Sequence, residues 1–169
     1  VIPTKLFIGW IHGNEGLTSR RFLKRINEDD LSDGQFYFYN FDKTPYISTI
    51  KKEYYESELG LKILGLINYF RPDFYTELHC YDLKNYDKLT SMERCEKTGI
   101  PPLIKLGNHV LVSSISPLIR MIYFSTDAVC KTLEFPCFEK LTPELIEKHN
   151  FNMELAIETY EDLLKLILK

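Results

Sequence analysis

No two of the four cysteines, Cys80, Cys95, Cys130 and Cys137, stand at C-x-x-C spacing, which leaves a structural zinc knuckle or a dithiol redox motif without support. They read as free buried thiols, with a Cys80 thiolate beside a metal as the sharper alternative. Basic charge is short as well. Lys and Arg number 21 against 24 Asp and Glu, so the net charge of -3 offers no footprint for nucleic acid. No apolar run reaches the roughly 18 to 20 residues of a membrane-spanning helix, and no basic, apolar, small-residue series opens the chain as a signal peptide. The expectation is a cytoplasmic protein with neither a nucleic-acid nor a membrane partner. Repeats, low-complexity tracts and Pro/Gly/Ser linkers are missing too. With 44% hydrophobic and 14% aromatic residues in a chain of 169, residues 1–169 read as one packed domain.

What is present is alternation. Short β-branched and aromatic runs at residues 5–11, 35–41, 74–81, 109–115 and 130–135, each bounded by Gly, Pro, Asn or Asp, predict five strands. Between and after them, apolar residues at helical spacing predict helices over 16–27, 52–70 and 153–168, and Thr142-Pro143-Glu144 caps a shorter one over 143–149. Strands alternating with helices imply an α/β fold, a three-layer α/β/α sandwich around a mostly parallel, mixed sheet. Residues 84–107 are polar and weakly periodic, and a stretch of that kind often borders a functional site. The aromatic run 36–41 is a buried strand or, alternatively, a surface for a ligand or a second copy in a homo-oligomer.

The chemistry gathers at strand ends. His12 and Glu15 form H-x-x-E just after the first strand, and RPDFYTELHCYD brings His79 to the end of the third. In an open α/β sheet both would arrive at the edge where ligands bind. Two His and one Glu leave a fourth position on a tetrahedral Zn²⁺ for water, whose pKa zinc lowers toward about 7. Taken singly, each histidine reads first as a buried imidazole bonded to backbone; together with Glu15 and the order of the motifs, the pair reads as metal ligands. Hydrolysis also needs a carboxylate outside the metal's own ligands to move the proton. Glu134, in the buried-looking strand VCKTLEFPC, is the candidate; its alternative is a buried ion pair.

The order HGNE after a strand, P-D-x-x-x-E-L-H, then T-x-E resembles the zinc carboxypeptidase superfamily, in its succinylglutamate desuccinylase and aspartoacylase branch, over roughly residues 5–136. The chain is also similar to a group of small archaeal proteins placed near that superfamily. The resemblance implies one Zn²⁺ per chain held by His12, Glu15 and His79, and Glu134 as general acid/base. It implies a substrate, small molecule or peptide, that carries a carboxylate. Where that branch has an Asn-Arg pair for the carboxylate, this chain reads TPYISTIKKEYY, and Lys51 and Lys52 lack the two-pronged geometry of a guanidinium.

Arg120, soon after an apolar strand, is the substitute for substrate or oxyanion; its alternative is a surface arginine paired with a carboxylate. Arg20, Asn14 and Tyr46 complete the substrate-binding candidates, Tyr81 helps shape the pocket, and Asp82 would hold His79 through its second nitrogen. His109 reads as a turn residue and His149 as a helix end. Two functions follow: a zinc-dependent amide hydrolase, deacylase or carboxypeptidase-like, and a catalytically silent relative that binds a metal or ligand and serves as an interaction module.

Overall fold

In the computed structural model, which describes every residue except Trp10 and Asp42, six strands form one sheet in the order β2-β1-β3-β6-β5-β4. They are β1 (Thr4–Gly9), β2 (Gln35–Asn40), β3 (Phe74–Tyr81), β4 (Ile104–Gly107), β5 (Val110–Ser113) and β6 (Val129–Pro136). The first four neighbours in that order run parallel, and β5 is antiparallel to both of its neighbours, β6 and β4. The expected mostly parallel, mixed sheet is what forms. β4 is the strand that periodicity does not reveal, because all four of its residues are exposed. It pairs with β5 through a two-residue turn in which Asn108 and His109 both have positive φ, 51° and 65°. A turn of that hand matches the twist of a hairpin. Trp10, inside the first expected strand, lies outside the described residues.

Parallel neighbours need crossover connections, and the helices supply them on both faces. α1 (Gly16–Leu23) joins β1 to β2, and with α8 (Met153–Leu168) it covers one face, packing Phe22, Ala156, Tyr160 and Leu164 on Phe7, Leu78, Leu133 and Phe135. α2 (Lys52–Glu56) and α3 (Glu58–Phe70) lead to β3 and, with α6 (Pro117–Tyr123), cover the other face, packing Tyr54, Leu59, Ile63, Ile67 and Ile119 on Leu6, Ile8 and Tyr75. Three short helices complete the fold: α4 (Tyr86–Thr90), α5 (Glu93–Thr98) and α7 (Pro143–Lys148). No helix among the described residues is long and apolar enough to cross a membrane.

Three expectations need correction. The first helix stops at Leu23, since Asn27 and Asp30 cap each other's backbone and start a separate 3₁₀ turn. The helix expected over 52–70 is two helices. Ser57 takes an extended conformation between them and its hydroxyl accepts the Gly60 N–H at 3.1 Å, so it ends one helix and caps the next. Cys80 and Cys137 are joined in a disulfide, and of the two free cysteines Cys95 is exposed and Cys130 half-buried. Adjacent strand ends bring Cys80 and Cys137 to a Cα–Cα distance of 4.8 Å across 57 residues of sequence, a proximity that spacing cannot disclose. The aromatic run in β2 is half-buried on an edge strand, with Phe38 stacked on Phe7 and Tyr37 against Phe70.

The corner between α2 and α3 admits no Cβ at Gly60, where one would lie 2.0 Å from the Tyr54 carbonyl oxygen. Gly60→Ala is therefore expected to destabilise the fold by about 1–3 kcal/mol or more. Gly65, on the open side of the same helix with nothing within 4 Å, is the control. Gly65→Ala is expected to gain up to about 1 kcal/mol from helix propensity. Urea unfolding of both variants checks the pair, and equal effects would contradict this packing of the corner.

Candidate metal centre

The sheet reverses its winding between β1 and β3: from β1 the chain moves outward to β2, then crosses back to β3 on the other side. At such a switch point the C-terminal strand edge opens a crevice between the two connections. His12 and Glu15 come from the turn that follows β1, and His79 from the last residues of β3. Gly13, at φ 59°, makes the left-handed bend that lets His12 and Glu15 face each other, and its Cα-side approach to Tyr46 leaves ordinary contact distance only. Glu15 is the N-cap position of α1.

Glu15 is the hub of the cluster. Its Oε1 lies 3.0 Å from His79 Nδ1 and 3.4 Å from His12 Nε2. The backbone N–H of Cys80 donates to the same oxygen at 3.4 Å, and that of His12 donates to Oε2 at 3.3 Å. All three side chains are buried, and their ligand atoms lie within 4.8 Å of one another. His12 Nδ1 is buried with no hydrogen-bond partner, a vacant lone pair beside two further donors. Burial pushes the His12 pKa down to about 4 despite the nearby Glu15 charge, so the ring is neutral at pH 7. Burial also works against charge on His79, but the Glu15 charge and hydrogen bonds to Glu15 and Glu77 outweigh it and raise its pKa. Neutral imidazole, imidazole and carboxylate are a donor set suited to Zn²⁺, and this group fits one ion.

The outer partner of His79 is Glu77, which the sequence reading missed. Glu77 Oε1 sits 2.9 Å from His79 Nε2, and its Oε2 accepts the Tyr75 hydroxyl at 2.7 Å. Tyr75, Glu77 and His79 alternate along β3, so a strand period of two puts all three on one face. The E-x-H in TELHC carries that signal. Asp82 does not hold His79: its carboxylate accepts the Lys84 N–H at 3.1 Å and pairs with Lys84 Nζ at 3.4 Å.

Glu134 arrives from β6, where it is in register with His79. Parallel neighbours in register point to the same face, so both reach the same end of one surface. Its Oε2 is buried without a partner, and burial raises its pKa to about 8, with His79 opposing and Glu15 adding to the shift. A carboxyl poised there exchanges a proton readily near neutral pH.

These residues line a cleft of about 750 Å³ together with Tyr46, Tyr81, Arg94, residues 99–103 and residues 113–117. Tyr46 is brought to the site, its ring centroid 4.4 Å from that of His12. Tyr81 lines the cleft while donating its hydroxyl to the His109 carbonyl at 2.6 Å. Part of 84–107 does border the cleft, as its irregular pattern suggested. Arg120 is not brought there. Its guanidinium donates to the carbonyls of Ser125, Thr126 and Ala128, which precede β6 at the opposite end of that strand from Glu134. Arg20 is exposed on α1, and neither it nor Asn14 is among the residues that line the cleft.

The comparisons with known proteins agree in one direction. No solved structure matches the chain. It is 39% identical over 140 residues to uncharacterized protein MJ0501 of Methanocaldococcus jannaschii, covering 80% of this chain and 67% of that protein. Residues 1–169 match the family described as uncharacterized protein conserved in archaea, DUF2119. The chain belongs to that archaeal family.

Proposed function

We propose that the cleft hydrolyses a C–N amide bond, either the amide of an N-acylated amino acid or a C-terminal peptide bond. In this reading His12, Glu15 and His79 hold one Zn²⁺ and Glu134 is the general acid/base. The observation that carries it is the burial of two imidazoles and a carboxylate, one imidazole nitrogen without a partner, beside a second carboxylate whose pKa lies near neutrality. The resemblance to the zinc carboxypeptidase superfamily names the same four residues.

Bound zinc would supply a Lewis acid for the carbonyl and lower the pKa of water toward about 7. The remaining work belongs to the chain. The ionised fraction of Glu134 accepts a proton from the attacking water at its unpartnered Oε2 and returns it to the departing amine nitrogen. Glu77 fixes the ring of His79 through Nε2 and leaves Nδ1 turned toward Glu15. Tyr46 and Tyr54, with rings 4.4 and 6.0 Å from that of His12, shield the imidazole from bulk water. The cytoplasm is the setting we assign.

The test is turnover of a panel of N-acyl amino acids and short peptides by zinc-loaded protein. Expected are hydrolysis of at least one class, loss on chelation and recovery with zinc. One observation favours the second reading, a silent metal-binding interaction module: the arginine expected to clamp substrate, Arg120, is committed to backbone carbonyls. Stoichiometric zinc with no hydrolysis across the panel would support the module and contradict the hydrolase.

A further inference from the structure

One cationic nitrogen enclosed in the cleft has no hydrogen-bond partner among the described residues. Arg94 sits half-buried on α5, with its Nη1 enclosed and without a hydrogen-bond partner among the described residues. No ion pair within 4 Å joins it to a carboxylate among the described residues. Burial lowers its pKa while the charge of Glu134 acts in the opposite sense, so the guanidinium feels the site without being neutralised by it. A buried guanidinium nitrogen with an unmade bond costs free energy unless a ligand completes it. The other cations of the cleft are placed differently: Lys84 is paired with Asp82 at 3.4 Å, and Lys140 is exposed.

The surroundings restrict which ligands suit this nitrogen. Beyond α5 the chain runs Gly99-Ile100-Pro101-Pro102, and Ile100, Pro101 and Pro102 give the same wall an apolar surface. The cleft already holds the carboxylates of Glu15, Asp82 and Glu134. A dianion would bring a second negative group to an acidic lining that offers it one buried guanidinium nitrogen, whereas a single carboxylate on an apolar body meets that guanidinium and an apolar surface.

We propose that Arg94 is the anion receptor of the cleft and that it selects ligands in which one free carboxylate is joined to an apolar body, as in an N-acylated aliphatic amino acid. This rests on the hydrolase reading only in calling the ligand a substrate. Selection is a matter of binding, and binding is measured on chelator-treated protein that cannot turn over.

The experiment is calorimetric titration of that zinc-free protein with N-acetyl-leucine, its neutral amide N-acetyl-leucinamide, N-acetyl-aspartate and inorganic phosphate. The acid is expected to bind about 10- to 100-fold more tightly than the amide, the range of a charge-assisted bond, and more tightly than N-acetyl-aspartate or phosphate. Arg94→Gln is expected to erase the preference for acid over amide while leaving the amide's affinity unchanged. Equal binding of acid and amide by the wild type, no saturable binding of the acid at millimolar concentration, or tighter binding of N-acetyl-aspartate or phosphate would each overturn the proposal. So would an Arg94→Gln variant that keeps the preference. If that variant does not fold, the wild-type comparison of acid with amide decides alone. Failure of the hydrolase reading shows separately, as absent turnover in zinc-loaded protein whose acid preference persists.

Discussion

Glu134→Gln is expected to keep zinc and lose turnover, by about 10²- to 10⁴-fold, the range that general acid/base groups contribute. Glutamine preserves the shape of the side chain and removes the proton that Oε2 exchanges. Since Glu134 is outside the triad of His12, Glu15 and His79, metal content is expected to stay at the wild-type level. Retained hydrolysis in this variant would rule out the assigned role.

The same substitution has a second expected effect, opposite in sign, on stability. The carboxyl of Glu134 is raised from an ordinary 4.5 to about 8 in the fold, chiefly by burial. A raised pKa means that the group's stabilising contribution is complete below about pH 4.5 and is lost as pH climbs through about 8. Glutamine is neutral throughout. Metal-free Glu134→Gln is therefore expected to melt above metal-free wild type at pH 8 to 9, by about 2–4 °C for each ~1 kcal/mol, with the difference vanishing near pH 4. Thermal scans across that range check it.

Glu77→Gln is the second large effect. Its carboxylate orients His79 through a 2.9 Å contact and is itself held by Tyr75. Partners of this kind typically contribute 10- to 100-fold to metal affinity, so zinc affinity measured against a competing chelator is expected to fall by about that much. The isosteric amide keeps the packing of the buried side chain. An unchanged zinc affinity would mean that His79 needs no outer carboxylate, and that Glu77 serves only the tyrosine beside it.

The sequence discloses local order well and distant pairing poorly, for physical reasons visible in particular residues. β3 is legible because aromatic and β-branched residues open it and Pro72-Asp73 and Asp82 bound it, and α8 because its apolar stripe repeats at helical spacing over Met153–Leu168. β4 is illegible because an exposed edge strand of four residues buries nothing. His12, Glu15 and His79 are legible because strand ends deliver their side chains to one edge, whatever the intervening length of chain. Arg94 has no such marker. It lies in the weakly periodic stretch, and only the packing of α5 against the cleft gives it a place. Arg120 misleads for the converse reason: it follows a strand, but α6 carries it to the opposite end of the sheet, where three carbonyls hold it. The Cys80–Cys137 bond depends on strand order, which no spacing encodes.

Elemental analysis of metal in the purified protein, beside a His12→Ala, His79→Ala double variant, bears most directly on whether the buried triad is a zinc site. About one zinc per chain in the wild type, lost in the double variant, is the expected result. Wild-type protein that takes up no zinc when it is offered at neutral pH, or a double variant that retains as much, would contradict the site and with it the hydrolase.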